Sequence, residues 1–202
     1  MGTPIPLGLN EPADPVEAFH LLVVGHTGTG KTLVLRDTFV RAIVSGWDVR
    51  TVETGCTWAE TANVLGGVLR SALDRIERVT SDARPILLVL DDATWLRSTP
   101  RRRDVVSLLS AIMSLSEQAD VHLLVAIERV SVRDLAGLPK RWAKPFARLL
   151  LGPATVGDWV GVLRTGIDYW VDVPVGSGIF EPTEGAPCTV QLPTGKAFAQ
   201  AI

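Results

Sequence analysis

The chain has 202 residues, of which 47% are hydrophobic and 21% are charged. This composition excludes a disordered protein, and the length fits one globular domain with at most a small appendage. The net charge of −2 excludes the overall basic character of many nucleic-acid-binding chains, although residues 84–148 alone carry a net charge of +4.

The apolar runs are too short to cross a membrane. Residues 21–25 and 86–90 are apolar throughout, whereas a membrane-spanning helix needs about 20 such residues. Short runs of this kind are typical of parallel strands that are buried on both faces. The N-terminus lacks the basic and apolar regions of a signal peptide, and Cys56 and Cys188 are too few for a disulfide framework. We therefore expect a cytoplasmic protein with reduced cysteines.

Strands and helices alternate along the chain. The first helix is predicted from the helical spacing of Leu33, Val34, Phe39, Val40 and Ile43, with Gly46 ending it. In chain order, we expect a strand at 20–25, a helix at 32–45, a strand at 48–53, a helix at 58–79, a strand at 86–91, a helix at 103–117 and strands at 121–127 and 147–151. Thr57 and Glu60 have the spacing of a capping box at the start of the second helix.

This alternation predicts an α/β fold with a mostly parallel central sheet flanked by helices. A short helix is possible at 155–163, and the tail at 168–193, rich in glycine and proline, predicts a β-hairpin or a loop. We expect an N-terminal arm at 1–19, a core at 20–165, and a C-terminal hairpin and tail at 166–202 that pack on the core.

The segment between the first strand and the first helix matches the phosphate-binding pattern G-x-x-x-x-G-K-[ST]. Its residues are Gly25, His26, Thr27, Gly28, Thr29, Gly30, Lys31 and Thr32. Glycines let consecutive N–H groups turn inward around phosphate, and the positive end of the following helix faces the same charge. We expect Lys31 to contact the outer phosphates and the Thr32 hydroxyl to bind Mg²⁺, with Thr27 and Thr29 contributing only their main chains.

Two acidic residues end the strand predicted at 86–91. Asp91 is expected beside the phosphate loop, where it would hold the magnesium shell together with Thr32. Asp92 follows at a position where a carboxylate could orient the attacking water, or could simply cap a turn. Glu53 ends the second predicted strand and is a rival candidate for the general base, the alternative being a solvated charge. We therefore predict Lys31, Asp91, Asp92 and Glu53 as the catalytic group.

With these residues in place, the chain resembles the FtsK/SpoIIIE group of P-loop motor ATPases. The resemblance rests on six segments in the family's order: IPLGL at 5–9, HLLVVGHTGTGKT at 20–32, the apolar run ending in two acids at 86–92, VHLLVAIERVS at 121–131, FARLL at 146–150, and the stretch at 173–191. It implies a RecA-like fold, ATP and Mg²⁺ as cofactors, and a homo-oligomeric ring, usually a hexamer. It also implies translocation of double-stranded DNA in segregation or conjugative transfer, and leaves a membrane partner protein possible.

The chain departs from the family pattern at several positions. Asp92 replaces a glutamate, Glu128 replaces a glutamine, Val130 replaces a proline and Ser177 replaces an arginine. An ionised glutamate only accepts hydrogen bonds and repels phosphate unless a cation intervenes. Because each change lies at a position that the family uses more for catalysis than for nucleotide binding, ATP binding is better supported than fast hydrolysis. Three alternatives stay open: a type VII secretion-type motor module, a weakly hydrolysing regulatory subunit and, less well matched, a small-molecule kinase.

Basic residues gather in two places in the middle of the chain. Arg101, Arg102 and Arg103 could contact DNA phosphates or act as an arginine finger, or could be a solvated run. Lys140, Arg141, Lys144 and Arg148 form the second cluster, in which Arg148 is expected to open a strand near the nucleotide; the alternative is surface charge that aids solubility.

Overall fold

The computed structural model describes residues 3–9, 17–78, 83–97, 99–128, 144–153, 162–163 and 173–193. Its strands are β1 His20–Val24, β2 Asp48–Val52, β3 Ile86–Leu90, β4 Val121–Ile127, β5 Phe146–Leu151, β6 Ser177–Glu181 and β7 Cys188–Gln191. Its helices are α1 Lys31–Val44, α2 Trp58–Arg78 and α3 Arg102–Ala119, with a short 3₁₀ helix at Ala93–Arg97. Most of the helix predicted at 155–163 lies outside the described residues. So do three residues named above, Val130, Lys140 and Arg141.

The seven strands form one sheet in the order β2-β3-β4-β1-β5-β6-β7. Strands β1 to β5 pair in parallel, and β6 and β7 add an antiparallel hairpin at one end. This arrangement confirms the predicted fold class, including the C-terminal hairpin. Because β4 lies between β1 and β3, the loops after these three strands are neighbours at one edge of the sheet.

Both faces of the sheet are covered, which explains the continuous apolar runs. Every residue of β1, β3 and β4 is buried. One hydrophobic core lies between one face of the sheet and helices α2 and α3. Its buried residues include Leu65, Val68, Leu88, Leu90, Leu109, Ile112 and Leu123. The other core lies between the opposite face of the sheet and α1 with the N-terminal arm. Its buried residues include Ile5, Leu21, Val34, Leu35, Leu87, Val89 and Leu124. The alternation of strand residues between two apolar layers is the expected consequence of a doubly covered parallel sheet.

The described part of the N-terminal arm packs against α1. Ile5 is buried, and its N–H donates to the carbonyl oxygen of Ala18 at 2.8 Å. Gly8 lies so close to α1 that a Cβ there would come within 1.6 Å of Asp37 Oδ2. Asp37 is itself buried and receives a hydrogen bond from Arg41 Nε at 2.7 Å.

The start of α2 has the predicted capping box. The N–H of Thr57 donates to Glu60 Oε2 at 2.7 Å, and the N–H of Glu60 donates back to Thr57 Oγ1 at 3.3 Å. Two N–H groups at the N-terminal end of α2 thereby have hydrogen-bond partners. No helix in the part of the chain that the structure describes is long and apolar enough to cross a membrane.

Candidate functional site

The candidate site lies where the parallel strands end. Val24 of β1 is level with Ile127 of β4, and Leu90 of β3 is level with Val52 of β2. The residues that follow these four strands, Gly25, Glu128, Asp91 and Glu53, therefore leave the sheet at the same edge. Ligands of open parallel sheets bind at this edge.

The loop after β1 is shaped by its glycines and by internal hydrogen bonds. Gly28 and Gly30 have φ values of 84° and 104°, in the left-handed region that side chains rarely adopt. A Cβ on Gly25 would lie 2.4 Å from Thr29 Oγ1. The N–H and the hydroxyl of Thr29 both donate to the carbonyl oxygen of His26, at 3.2 and 2.8 Å. The buried Thr29 side chain therefore supports the turn, whereas we predicted only a main-chain contribution for it.

The phosphate loop leads directly into α1. Gly30 is the N-cap residue, and its carbonyl oxygen accepts the N–H of Val34 at 3.0 Å. Lys31 Nζ donates to the carbonyl oxygens of Gly25 and His26, at 2.8 and 3.0 Å, so its ammonium group is folded over the loop. A cation and the positive end of a 14-residue helix thus face the same space.

A cleft of about 400 Å³ opens over the loop. It is lined by Thr27, Gly28, Gly30, Lys31, Thr32, Asp91, Asp92 and Glu128. The structure thus brings most of the predicted phosphate-loop residues together with both acids after β3. Among these lining residues, one ammonium group faces three carboxyl groups, so an anionic ligand would need additional positive charge.

Asp91 lines this cleft and also a second, neighbouring cleft. Its N–H donates to the carbonyl oxygen of Val52 at 3.0 Å, and its own carbonyl oxygen accepts the Thr54 hydroxyl at 3.3 Å. Burial and the nearby charges of Asp92 and Glu53 raise the pKa of Asp91, and Lys31 opposes this shift. A divalent cation beside the carboxylate would reverse the effect, because it favours the ionised form.

The two candidate bases line different clefts, and Asp91 and Thr32 line both. Asp92 has a φ of 46° and lines the cleft over the phosphate loop. Glu53 lines the second cleft, of about 250 Å³, together with Thr32, Arg36 and Asp91. Asp92 is therefore in the cleft that contains Lys31, whereas Glu53 is in the neighbouring cleft.

Glu128 makes a contact that the sequence did not reveal. The hydroxyl of Thr27 donates to Glu128 Oε1 at 2.6 Å, across 101 residues of chain. This hydrogen bond is the main cause that lowers the pKa of Glu128, and the positive charge of Lys31 acts in the same direction. Glu128 is exposed and ionised at neutral pH. The sequence marked it only as a departure from a family pattern, since no local spacing connects it with Thr27.

The basic residues are placed less simply than expected. Arg101 is the N-cap residue of α3, where its Nη1 lies 3.3 Å from Asp104 Oδ2 and its guanidinium lies 6.0 Å from the ring centre of Trp58. Arg148 is level with Leu22 in the middle of β5 and lies 3.8 Å from the buried carboxylate of Glu181. The expectation that Arg148 opens a strand near the nucleotide is therefore wrong, because β5 begins two residues earlier.

Comparison with known proteins gives a consistent fold at low sequence identity. No protein-family profile matches the sequence, and no curated protein matches it significantly. Among solved structures, the conjugation coupling protein TcpA of pCW3, with ATPγS, superposes with a TM-score of 0.70 at 14% identity, over 87% of this chain and 60% of that one. EssC (ATPases 2 and 3) from Geobacillus thermodenitrificans gives a TM-score of 0.67 at 20% identity, over 96% and 41% of the two chains.

A third similar structure is EccC (ATPases 2 and 3) from Thermomonospora curvata, in complex with a signal sequence peptide. Its TM-score is 0.66 at 18% identity, over 95% of this chain and 40% of that one. The chain thus spans less than two thirds of the length of each of these three proteins. Together with the strand order, these likenesses confirm the fold that the sequence resemblance implied. The chain has the RecA-like P-loop fold shared by the FtsK/SpoIIIE-type ATPase domains of TcpA, EssC and EccC.

Proposed function

We propose that the chain binds ATP in the cleft over the phosphate loop. The observation that carries this proposal is the convergence of Lys31, Thr32 and Asp91 on one cleft at the start of α1. The left-handed Gly28 supports it further, because a Cβ there would meet no atom of the described residues within 4 Å. Main-chain N–H groups of the loop would hold the phosphates, and Lys31 would neutralise the outer ones.

Thr32 and Asp91 are the residues that would hold Mg²⁺. A hydroxyl and a carboxylate are the oxygen donors that this ion prefers. The described residues contain no group of three or more His, Cys, Asp or Glu side chains that could hold a metal alone. The protein's donors therefore fit a magnesium ion that takes its remaining ligands from phosphate and water. When bound, the ion would neutralise charge on the outer phosphates.

We further propose that the site hydrolyses ATP, with Asp92 as the residue that orients the attacking water. Asp92 lines the same cleft as Lys31, whereas Glu53 lines the neighbouring one. An aspartate is one methylene shorter than a glutamate. A displacement of about 1 Å can lower a rate by about 100-fold, so we expect slow turnover.

The cargo we favour is double-stranded DNA, translocated by a homo-oligomeric ring, usually a hexamer in the family that the sequence resembles. The similarity of fold to a conjugation coupling protein supports this choice. The sequence of residues 84–148 carries a net charge of +4, and the exposed arginines at the start of α3 give a small basic surface. A ring would gather several copies of such a surface, so the near-neutral charge of one chain is no obstacle.

A secretion-type motor module is the second candidate function. The similarity to EssC and EccC, at nearly the same TM-scores, favours it. A weakly hydrolysing regulatory subunit is the third, and it is favoured by the carboxylate of Glu128 at the phosphate loop. All three candidates share ATP binding and differ in what stimulates turnover.

The experiment that separates the DNA motor from the other two candidates is an ATPase assay with and without double-stranded DNA. A DNA motor should turn over faster with DNA, and Lys31→Ala should abolish this activity. Arg78→Ala, which removes a cation from the last turn of α2 away from the cleft, is the matched control and should keep it. Tight ATP binding with turnover that is indifferent to DNA would refute the DNA motor and favour the other two candidates.

A further inference from the structure

The phosphate loop already has an anionic partner within the chain. Glu128 follows β4, the strand that lies between β1 and β3, and its carboxylate accepts the Thr27 hydroxyl at 2.6 Å. Thr27 is the third residue of the loop that surrounds the cleft. One carboxylate thus lies against the loop on the side facing the acids after β3.

From this contact we propose that Glu128 determines which nucleotide the site prefers, and that it favours a nucleoside diphosphate over a triphosphate. The inference rests on the proposed nucleotide site. Inner phosphates bind the N–H groups of the loop, whereas the outermost phosphate lies toward Lys31 and the metal ligand Thr32. That outer position is bordered by the ends of β3 and β4, where Asp91, Asp92 and Glu128 line the cleft.

A like charge a few ångströms away disfavours an ionised group, so these carboxylates oppose the terminal phosphate most strongly. Asp91 is relieved of this role when its charge is shared with a divalent cation. Glu128 keeps its repulsive effect, unlike Asp91, because the hydrogen bond from Thr27 directs its carboxylate to the phosphate loop itself. A diphosphate lacks the terminal group and avoids most of the repulsion.

The hydrogen bond between Thr27 and Glu128 is exposed to solvent, and this exposure limits how strongly Glu128 can favour the diphosphate. Exposed charges are screened by water and by salt, with a Debye length of about 10 Å at 0.1 M. We therefore expect a selectivity of about tenfold, and not an absolute block. The same exposure means that Glu128→Gln, which removes the charge and keeps the size, leaves the fold intact.

The test is calorimetric titration of the full chain with ADP and with the non-hydrolysable analogue AMP-PNP, each with Mg²⁺. The unchanged chain should bind ADP more tightly. Glu128→Gln should tighten AMP-PNP binding about tenfold while changing ADP binding less than about twofold. Glu77→Gln, which removes a charge from the exposed surface of α2, is the matched control and should change neither dissociation constant.

Salt supplies a second readout on the unchanged chain. Raising the salt concentration should reduce its preference for ADP toward that of Glu128→Gln. If Glu128→Gln changes the dissociation constants of both nucleotides by the same factor, the proposal is wrong while the nucleotide site stands. If neither nucleotide binds to any variant, the nucleotide site is refuted and the selectivity falls with it.

Discussion

The N–H of Asp91 donates to the carbonyl oxygen of Val52 at 3.0 Å, and this bond sets the residues after β2 and β3 side by side. Glu53 follows Val52 directly, so its charge acts on Asp91 and contributes to the raised pKa of that carboxyl group. Asp92, the next residue along, acts in the same direction. Three acids therefore lie together at the end of two neighbouring strands, and each can be tested for its own role.

The first prediction concerns the general base. Asp92→Asn should lower ATP turnover by about 100-fold, because a neutral amide no longer accepts the proton of the attacking water. The dissociation constant for ATP should change little, since Lys31 and the loop remain. Glu53→Gln is the matched variant, with the same loss of charge beside Asp91, and should keep most of the turnover. If Glu53→Gln loses turnover and Asp92→Asn keeps it, the two roles are reversed.

The second prediction concerns the start of the phosphate loop. Gly25→Ala places a Cβ 2.4 Å from Thr29 Oγ1 and 2.9 Å from Leu151 Cβ, so the loop must move. Titration with ATP should therefore show a strong loss of affinity. Gly67→Ala is the control, because a Cβ there meets no atom within 4 Å in the part of the chain that the structure describes, and α2 gains a better helix former. Denaturation should find Gly67→Ala more stable by up to about 1 kcal/mol. Unchanged ATP affinity in Gly25→Ala would contradict the description of the loop.

The third prediction concerns pH and His20, at the start of β1. Its Nδ1 accepts the N–H of Leu123 at 3.1 Å, and Ser116 Oγ lies 3.3 Å from its Nε2. Burial, and then the nearby His122, lower the pKa of His20 from 6.5 to about 3. Between these two values the unfolded chain binds a proton that the folded chain does not, so stability is full above pH 6.5 and falls as the pH drops.

Urea unfolding at pH 7 and pH 5 measures this effect. One such histidine contributes a loss of about 2 kcal/mol over the interval. His20→Asn, which can still accept the N–H of Leu123, should be less stable at pH 7 but should lose less stability on acidification. An unchanged pH dependence in His20→Asn would assign the effect to other groups, of which His122, whose pKa burial also lowers, is the first to examine.

Features encoded by neighbouring residues were predictable from the sequence. The capping box at Thr57 and Glu60 needs a spacing of three residues, and the phosphate loop needs eight consecutive ones. Ile43 was expected with the apolar residues of α1 but is 50% exposed. Successive helix residues point about 100° apart, and the helix buries Ala42 against the sheet, so its neighbour turns away.

Features that depend on strand pairing were not predictable in the same way. The bond between Thr27 and Glu128 exists because β4 lies beside β1, an order that no single strand encodes. The position of Arg148 was also not predictable, because an apolar run in the sequence does not indicate at which residue strand pairing begins. Its position in mid-strand follows from the register with Leu22.

The central claim is that the loop at residues 25–32 binds the phosphates of ATP, and thermal unfolding with and without ATP and Mg²⁺ tests it most directly. At a nucleotide concentration about 100 times the dissociation constant, binding stabilises the folded chain by about 2.7 kcal/mol. For a chain of this length, that raises Tm by about 5 to 10 °C. Lys31→Ala should lose this rise while its Tm without nucleotide stays close to that of the unchanged chain. Equal rises in both chains, or no rise in the unchanged chain, would contradict the account.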